Sequence, residues 1–226
     1  MTKLRSVAID GPAGAGKSTI ARAAAKRFGF IYVDTGAIYR TLGLAAKRAG
    51  VDPKDEDGVM ALLRTLDIRF DYTDDGAQHM FLNGEDVSGL IRTPEISLYA
   101  SAVSAIQAVR TYLLNMQRNM AKTTSVVMDG RDIGTVVLPD AGLKIFLTAS
   151  AEARARRRFI ELQEKGDPAT FEEVLADMLV RDKNDSTRAA APLKAAEDAV
   201  TVDTTELTLE ESIEALCALI AERFGL

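Results

Sequence analysis

The chain has 226 residues, 47% of them hydrophobic and 27% charged, which is typical of a globular protein with one sizeable core and excludes a disordered or fibrous chain. The net charge of −5 gives no overall attraction to nucleic acid or an anionic membrane, so an anionic ligand needs a local cluster of Lys and Arg. No apolar run could span a bilayer, no signal-peptide pattern opens the sequence, and the single cysteine, Cys217, suits a reducing cytoplasm. We therefore expect a cytoplasmic protein that binds neither nucleic acid nor membrane.

Short apolar runs alternate with segments of helical periodicity along the chain. This order predicts an α/β fold in which a parallel sheet carries helices on both faces. The predicted strands are residues 6–10, 30–34, 125–129, 143–148 and 199–203, and the clearest helices are residues 17–28, 151–165 and 209–224.

Two segments interrupt this alternation. Residues 66–90 predict a small antiparallel insertion, because Asp74-Asp75-Gly76 and Asn83-Gly84 are turn sequences next to short apolar runs. Thr93 and Pro94 then predict the start of a helix. A second insertion is predicted at about residues 151–191, where a capping box at residues 170–173 begins a further helix.

The most specific local signal follows the first predicted strand. Residues 11–18 match the pattern G-x-x-x-x-G-K-[ST], in which glycines let backbone N–H groups close around a phosphate. Lys17 is expected to reach the β- and γ-phosphates of ATP, and the Ser18 hydroxyl is expected to bind Mg²⁺, with Asp34 as a further candidate acting through water. The predicted ATP-binding residues of this P-loop are Gly11, Pro12, Ala13, Gly14, Ala15, Gly16, Lys17, Ser18 and Thr19.

Missing residue types exclude other chemistry. His79 is the only histidine and falls in the antiparallel insertion, where a half-exposed strand residue is expected. Thiol catalysis, Ser-His catalysis and histidine-rich metal sites are therefore poorly supported. No Asn precedes a Lys, so the Asn-Lys-x-Asp guanine reader of GTPases is absent. Phosphoryl transfer needs only Lys, Arg and Mg²⁺.

Arginines form groups that suit a second anionic substrate. Arg40 and the pair Arg131-Asp132 follow predicted strand ends, where ligands of open parallel sheets bind. The second insertion is expected to act as a lid over phosphates. Its candidate residues are Arg154, Arg157 and Arg158 on one helix face, with Arg157 assigned to ATP, and Arg181, Asp185 and Arg188 at a similar spacing, whereas Arg156 points away and is expected to be solvated.

Several separate motifs occur in a characteristic order: residues 9–19, 34–40, 84–88, 129–137, and Arg181-Asp182 with Asp185 and Arg188. Over essentially its whole length the chain resembles the bacterial cytidylate kinases, a family of P-loop nucleoside monophosphate kinases. The resemblance implies phosphorylation of CMP, and of dCMP, by ATP with Mg²⁺. It also implies a monomer whose only partners are these small-molecule substrates.

The resemblance further implies a division of the chain. Such kinases have a five-stranded parallel core, a lid and an enlarged domain that binds the monophosphate. Here the core is expected at residues 1–60, 120–150 and 192–226, the CMP-binding insertion at about 61–119 and the lid at about 151–191.

Roles for single residues also follow from the resemblance. Arg40, Arg131 and Arg188 are expected to meet the acceptor phosphate, and Asp185 with Arg181 the ribose. Ser101, Arg110 and Asp132 are expected to read cytosine, which offers acceptors at N3 and O2 and a donor at N4. Thr35 stands where the family often has Ser and keeps the hydroxyl. The catalytic candidates are Lys17, Arg131, Arg154, Arg158 and Arg188.

Two alternatives stay open from the sequence. The acceptor could be UMP, AMP or a non-nucleotide alcohol. The chain could also be a binding module whose P-loop works as a nucleotide-dependent switch.

Overall fold

The structure is a computed structural model that describes residues 4–73, 76–164 and 166–226. In chain order its strands are β1 (Ser6–Asp10), β2 (Ile31–Asp34), β3 (Ile68–Tyr72), β4 (Gln78–Leu82), β5 (Glu85–Asp86), β6 (Val126–Gly130), β7 (Leu143–Thr148) and β8 (Val200–Asp203). Its helices are α1 (Lys17–Phe28), α2 (Thr35–Ala49), α3 (Glu56–Leu63), α4 (Pro94–Ala105), α5 (Gln107–Thr123), α6 (Ala151–Glu164), α7 (Phe171–Thr187) and α8 (Leu209–Phe224), with a 3₁₀ turn at Leu90–Arg92 and a π-helical turn at Ile133–Val137.

Five strands form one parallel sheet in the order β2-β6-β1-β7-β8. The predicted sheet is therefore confirmed, and each strand lies within one residue of its predicted limits. Side chains of α1 and α8, including Ile20 and Leu216, pack against one set of strand residues. Ile133 and the partly buried Leu114 of α5 pack with another set, so helices cover the sheet on both faces, as expected.

The antiparallel insertion is also confirmed. Strands β3 and β4 pair from Ile68 with Leu82 to Tyr72 with Gln78, and β5 adds a third strand that the sequence did not predict. Asn83 and Gly84 connect β4 to β5 with φ angles of 50° and 86°, the left-handed conformation that Asn-Gly favours. The turn predicted at Asp74-Asp75 lies outside the described residues.

A separate apolar cluster holds this insertion in place. It joins side chains from α2 and α3, such as Leu42 and Leu63, to Met80 of β4 and to Val103 and Leu113 of α4 and α5. Helix α2 begins directly after β2, so it links this cluster to the end of the parallel sheet. Side chains of α2 and α3 thus pack against the insertion.

The second insertion is a helix pair. Helices α6 and α7 pack through Ala155, Leu162, Val174 and Met178, and the predicted capping box is present at Thr170. Thr93 caps α4, as predicted, by accepting the N–H of Ile96 at 3.2 Å. The predicted end of the first lid helix at Lys165 lies outside the described residues.

Cys217 and His79 are the only residues of their types in the sequence, and the sequence predicts that His79 is half-exposed. Cys217 lies on α8 and is buried in the apolar cluster that α8 forms with α1 and the parallel sheet. His79 is half-exposed on β4, where Nδ1 lies 2.7 Å from the Asp86 carboxylate. In the described ranges, no helix combines the length and the apolar character that crossing a membrane requires.

Candidate active site

A cavity of about 760 Å³ opens at the carboxyl ends of β1, β2 and β6, between the P-loop, helices α2, α4 and α5, and the α6–α7 pair. Nine Lys and Arg side chains and five Asp and Glu side chains line it, an excess of four positive charges. The whole chain carries a net charge of −5. The positive charge that an anionic ligand requires is therefore concentrated at this one place.

The P-loop follows the central strand β1, and its shape depends on glycine. Gly11 has a φ of 150°, and a Cβ built there would lie 1.9 Å from the carbonyl oxygen of Leu147 on β7. Gly16 has a φ of 81° directly before α1, whose first N–H groups face the cavity end. Any side chain at Gly11 would push the loop off the sheet.

Lys17 is buried at the start of α1, and its ammonium group donates to the carbonyl of Pro12 at 2.7 Å. Burial, and next the nearby Arg131 guanidinium, lower the pKa of Lys17 to about 7. A bound polyphosphate would restore the charged form, because an adjacent anion favours an ammonium ion.

Ser18 lies beside a carboxylate at the end of β6. Its hydroxyl donates to Asp129 at 3.0 Å, and the Tyr32 hydroxyl donates to the other oxygen of Asp129 at 2.9 Å. Burial, and next the Asp34 carboxylate, raise the pKa of Asp129 to about 6. Sequence reasoning missed Asp129 as a site residue, although its position at a strand end, directly before Gly130-Arg131, could have indicated it.

Asp34 caps α2 and holds two arginines. Its carboxylate accepts the N–H of Ala37 at 3.0 Å and pairs with Arg40 at 2.7 Å and with Arg92 at 3.6 Å. Although burial acts against it, the charges of Arg40 and then Arg92 lower the pKa of Asp34. Thr35, the next residue, donates its hydroxyl to the Asp129 carbonyl at 2.8 Å.

A second charged group joins the end of β6 to α7. Arg131 donates to Asp185 at 2.9 Å, and the Arg188 guanidinium lies 3.9 Å from the same carboxyl group. Burial, followed by Arg131 for Arg181 and by Arg110 for Arg188, lowers the pKa of both arginines. These cations repel one another in a setting that would favour a bound anion.

Two nitrogen atoms in this region are buried and lack hydrogen-bond partners among the described residues. They are Nε of Arg40 and Nη2 of Arg188. Buried donors of this kind are costly unless a ligand or water satisfies them. Both side chains line the cavity, and both atoms are buried donors that the described residues leave unsatisfied.

Arg110 and Asp132 form a buried ion pair at the far end of the cavity. Arg110 also donates to the carbonyl of Ser104 at 3.0 Å, and its guanidinium lies 5.4 Å from the centre of the Tyr39 ring. Ser101 lines the cavity on the adjoining turn of α4. These contacts place a fixed donor and a fixed carboxylate side by side.

The arginines of α6 have three different environments. Arg154 is buried behind the P-loop, where it donates to the Ala13 carbonyl at 2.9 Å and pairs with Asp182 at 2.6 Å. Arg157 donates to the Thr204 hydroxyl at 3.1 Å. Arg158 pairs with Glu161 at 2.9 Å. Arg156 is exposed and lies over the Phe171 ring, facing away from the cavity as expected.

Most of the predicted residues line this one cavity. They are Ala13, Gly14, Gly16, Lys17, Ser18, Thr19, Asp34, Thr35, Arg40, Ser101, Arg110, Arg131, Asp132, Arg157, Arg158, Arg181, Asp185 and Arg188. Gly11, Pro12, Ala15 and Arg154 do not line it. For Arg154 the reason is its pairing with Asp182 and its hydrogen bond to the Ala13 carbonyl, which together hold the buried side chain against the P-loop backbone.

Sequence reasoning also missed several residues that line the cavity, because no local pattern marks them. Arg92 comes from the 3₁₀ turn before α4, and Tyr39 from the inner face of α2. Leu207, Thr208, Leu209 and Ser212 surround the start of α8 beside Arg157. These positions become neighbours of the P-loop only through packing.

Comparison with known proteins gives a consistent result. The family profile described as cytidylate kinase matches residues 7–222. A protein named cytidylate kinase from Caldicellulosiruptor bescii is 50% identical over 214 residues, covering 95% of this chain and 94% of the relative. Another of that name from a Geobacter species is 52% identical over 219 residues, covering 97% and 94%.

A solved structure gives a more distant match. An uncharacterized protein from Eubacterium ventriosum has a TM-score of 0.53 and 13% identity, covering 97% of this chain and 99% of that one. At this identity the similarity concerns the fold alone.

Proposed function

Because the chain belongs to the cytidylate kinase family, it catalyses the phosphorylation of CMP by ATP, and we propose that the transfer takes place in the cavity described above. The observation that carries the proposal is the excess of four positive charges in a chain of net charge −5. Two nucleotides bring many phosphate charges to one place, and such a cluster is what their binding requires.

ATP is proposed to bind at the P-loop end. The N–H groups of residues 13–19 would hold its phosphates, and Lys17 would move from the Pro12 carbonyl to the β- and γ-phosphates. Arg157 and the start of α8 line the adjoining wall, which suits the adenosine part. Arg158 would reach the phosphates from α6.

Mg²⁺ fits this end of the cavity. The Ser18 hydroxyl and the Asp129 carboxylate lie 3.0 Å apart, which is the oxygen chemistry that Mg²⁺ prefers. Across the described ranges no cluster of three or more His, Cys, Asp or Glu residues could hold a metal ion, so most ligands would be phosphate oxygens and water. When bound, the ion neutralises charge on the phosphates being transferred. Asp34, whose carboxylate is already paired with Arg40 at 2.7 Å, would act only through water.

The acceptor phosphate is proposed to bind between Arg40, Arg131 and Arg188. The unpartnered Nε of Arg40 and Nη2 of Arg188 supply donors, and Arg131 is oriented by its bond to Asp185. Thr35 holds the end of β6 through the Asp129 carbonyl and keeps hydroxyl lone pairs as acceptors.

The ribose is proposed to contact Asp185 and Arg181, and dCMP, which lacks only the 2′-hydroxyl, is proposed as a second acceptor. Cytosine would lie against Ser101, Arg110 and Asp132. Arg110 can donate toward N3 and O2, while Asp132 accepts from the N4 amino group. UMP in the same pose would oppose a donor to a donor and an acceptor to an acceptor.

The proposed division of the chain remains a core, a CMP-binding insertion and a lid at about residues 151–191. Arg154 is proposed to act from behind the P-loop, because it holds the Ala13 carbonyl at 2.9 Å. The lid would exclude water when both nucleotides are bound. We further propose that the protein acts as a monomer in the cytoplasm.

One experiment tests the acceptor site. Replacing Arg188 with Met removes a buried cation and should lower kcat/KM for CMP about 30-fold or more, equivalent to about 2 kcal/mol, with little change in KM for ATP. Arg27→Met is the matched control, since Arg27 is exposed, pairs with Glu214 of α8 and does not line the cavity.

The assay is ADP release with CMP, dCMP, UMP and AMP as acceptors. CMP and dCMP should be used well, and UMP and AMP poorly. Equal losses of CMP use in Arg188→Met and Arg27→Met would contradict the proposed phosphate site.

A further inference from the structure

Asp10 is a buried carboxylate that does not line the cavity. It ends β1, and the P-loop begins with the next residue, Gly11. Its two oxygens accept backbone N–H groups from Ile133 and Gly134, each at 2.7 Å. The substrate roles proposed above make no use of this residue.

The two amides that Asp10 holds come directly after Asp132. They open the π-helical turn, so the Asp10 carboxylate acts as an anchor for the start of that turn. Asp132 itself has a φ of −147° and a ψ of 27°, outside the regular helical and extended regions. Its side-chain direction therefore depends on how firmly the following residues are held.

Other residues hold the π-helical turn at its far end and pack against its middle. Arg118 donates to the carbonyls of Val136 and Val137 at 2.9 and 3.0 Å. A Cβ at Gly134 would lie 3.2 Å from the Lys144 side chain and 3.4 Å from the Asp10 carboxylate. Asp10 thus contacts the turn at close range, on the side nearest Asp132.

We propose that Asp10 is a positioning residue for base selection: by holding the amides of Ile133 and Gly134, it orients Asp132 toward the cytosine amino group. The inference rests on the proposed reading of cytosine by Asp132. Charge-assisted hydrogen bonds to a buried carboxylate are strong and directional, which suits a residue that acts through another.

The test is a double-mutant cycle on Asp10→Asn and Asp132→Asn. Asparagine at position 10 keeps the shape of the side chain, but only its one oxygen can accept a backbone N–H. Its NH₂ group would face the other of the two N–H groups, those of Ile133 and Gly134, as donor against donor. Burial raises the pKa of Asp10 to about 6, so assays at pH 8 compare an ionised carboxylate with the amide. The measurements are kcat/KM for CMP and UMP, KM for ATP and the melting temperature.

Asp10→Asn should lower kcat/KM for CMP about 10- to 100-fold and narrow the CMP-to-UMP ratio at least about 5-fold, while KM for ATP changes less than about 3-fold. The double variant should have the same CMP-to-UMP ratio as Asp132→Asn alone. Asp203→Asn is the matched control, because Asp203 also ends a strand of the sheet and accepts an amide, from Thr205 at 2.8 Å. Its ratio should equal that of the parent protein.

The possible failures are distinguishable. An unchanged ratio in Asp132→Asn would reject the proposed base reading. A narrowed ratio in Asp132→Asn, together with equal losses of CMP and UMP use in Asp10→Asn, would overturn the positioning role alone. If Asp10→Asn does not fold, Asp10→Ser keeps one acceptor and is measured instead. Failure of both variants to fold would assign Asp10 to the stability of the sheet and overturn the inference.

Discussion

The two ends of the cavity are built by different means. The proposed ATP end is built mainly on one continuous segment, residues 11–19, whose glycines and backbone N–H groups shape it. The proposed CMP end is assembled from side chains of α2, α4, α5, α7 and the turn after β6. Within it, Arg131 and Asp185 pair across 54 positions of sequence, and Arg188 and Ser104 across 84.

This difference has a physical consequence for recognition. Backbone amides at a helix start attract any phosphate and cannot distinguish one base from another. Fixed side-chain donors and acceptors can do so, because a wrong partner leaves a buried polar group unpaired. We therefore expect substitutions at the ATP end to affect rate for every acceptor, and substitutions of the base-reading side chains at the CMP end to affect the choice among acceptors.

The largest effect is expected at the ATP end. Lys17→Ala should lower kcat about 1,000-fold or more with every acceptor. The variant lacks the cation that stabilises the negative charge moving between phosphate oxygens during the transfer. The fold should be retained, since burial already lowers the pKa of Lys17 to about 7 and its charged form is not favoured there.

The measurement is kcat with CMP and with UMP, together with the melting temperature. Lys47→Ala is the control, because Lys47 is an exposed helix residue paired with Glu95. A rate near that of the parent protein would show that Lys17 takes no part in the transfer, and would contradict the expected difference between the two ends of the cavity.

An intermediate effect is expected at the base-reading pair. Asp132→Asn should lower kcat/KM for CMP far more than for UMP, because its amide can turn to donate toward O4 of uracil. In the parent protein the mismatch for UMP should cost on the order of 2–5 kcal/mol, and the variant should remove part of this difference between the two acceptors. Arg110→Met should damage CMP use similarly while leaving KM for ATP nearly unchanged.

Arg110→Met also leaves Asp132 buried without its partner, so its melting temperature should fall. The double variant with Asp132→Asn should recover part of that loss, which separates stability from selectivity. Equal losses of CMP and UMP use in both single variants would mean that the pair positions the acceptor and does not read its base.

The smallest effect concerns stability at the point where the two ends meet. Burial, and next Asp34, raise the pKa of Asp129 to about 6 from an ordinary value of 3.8. Between these values the folded protein binds a proton that the unfolded chain does not, so the associated stability is present at low pH and is lost as the pH rises to about 6.

Asp129→Asn should therefore be more stable than the parent protein at pH 8, by about 2–3 kcal/mol, when Mg²⁺ and nucleotides are absent. Below about pH 4 the two should be equally stable. Urea unfolding at several pH values measures this, with Asp203→Asn as control. A variant that is less stable at pH 8 would show that the Ser18 and Tyr32 hydrogen bonds outweigh the cost of burying the charge.

The parallel sheet, the P-loop and the caps of α4 and α7 could be predicted from local sequence patterns. Each depends on residues close in sequence: an apolar run, a glycine pattern before Lys17, or a capping residue such as Thr93 with its amide three positions on. Local geometry decides these features, so a local pattern is sufficient to predict them.

Which side chains meet in the site could not be read from local patterns and follows from the packing of distant segments. This packing brought Asp129 to Ser18 across 111 positions, paired Arg110 with Asp132, and turned Arg154 behind the P-loop toward Asp182. The helical spacing of Arg154, Arg157 and Arg158 predicted a shared face but not their separate partners. Those partners depend on how the helices pack and on which buried charges lie next to each arginine. Both are properties of the whole fold, so no short segment of sequence reveals them.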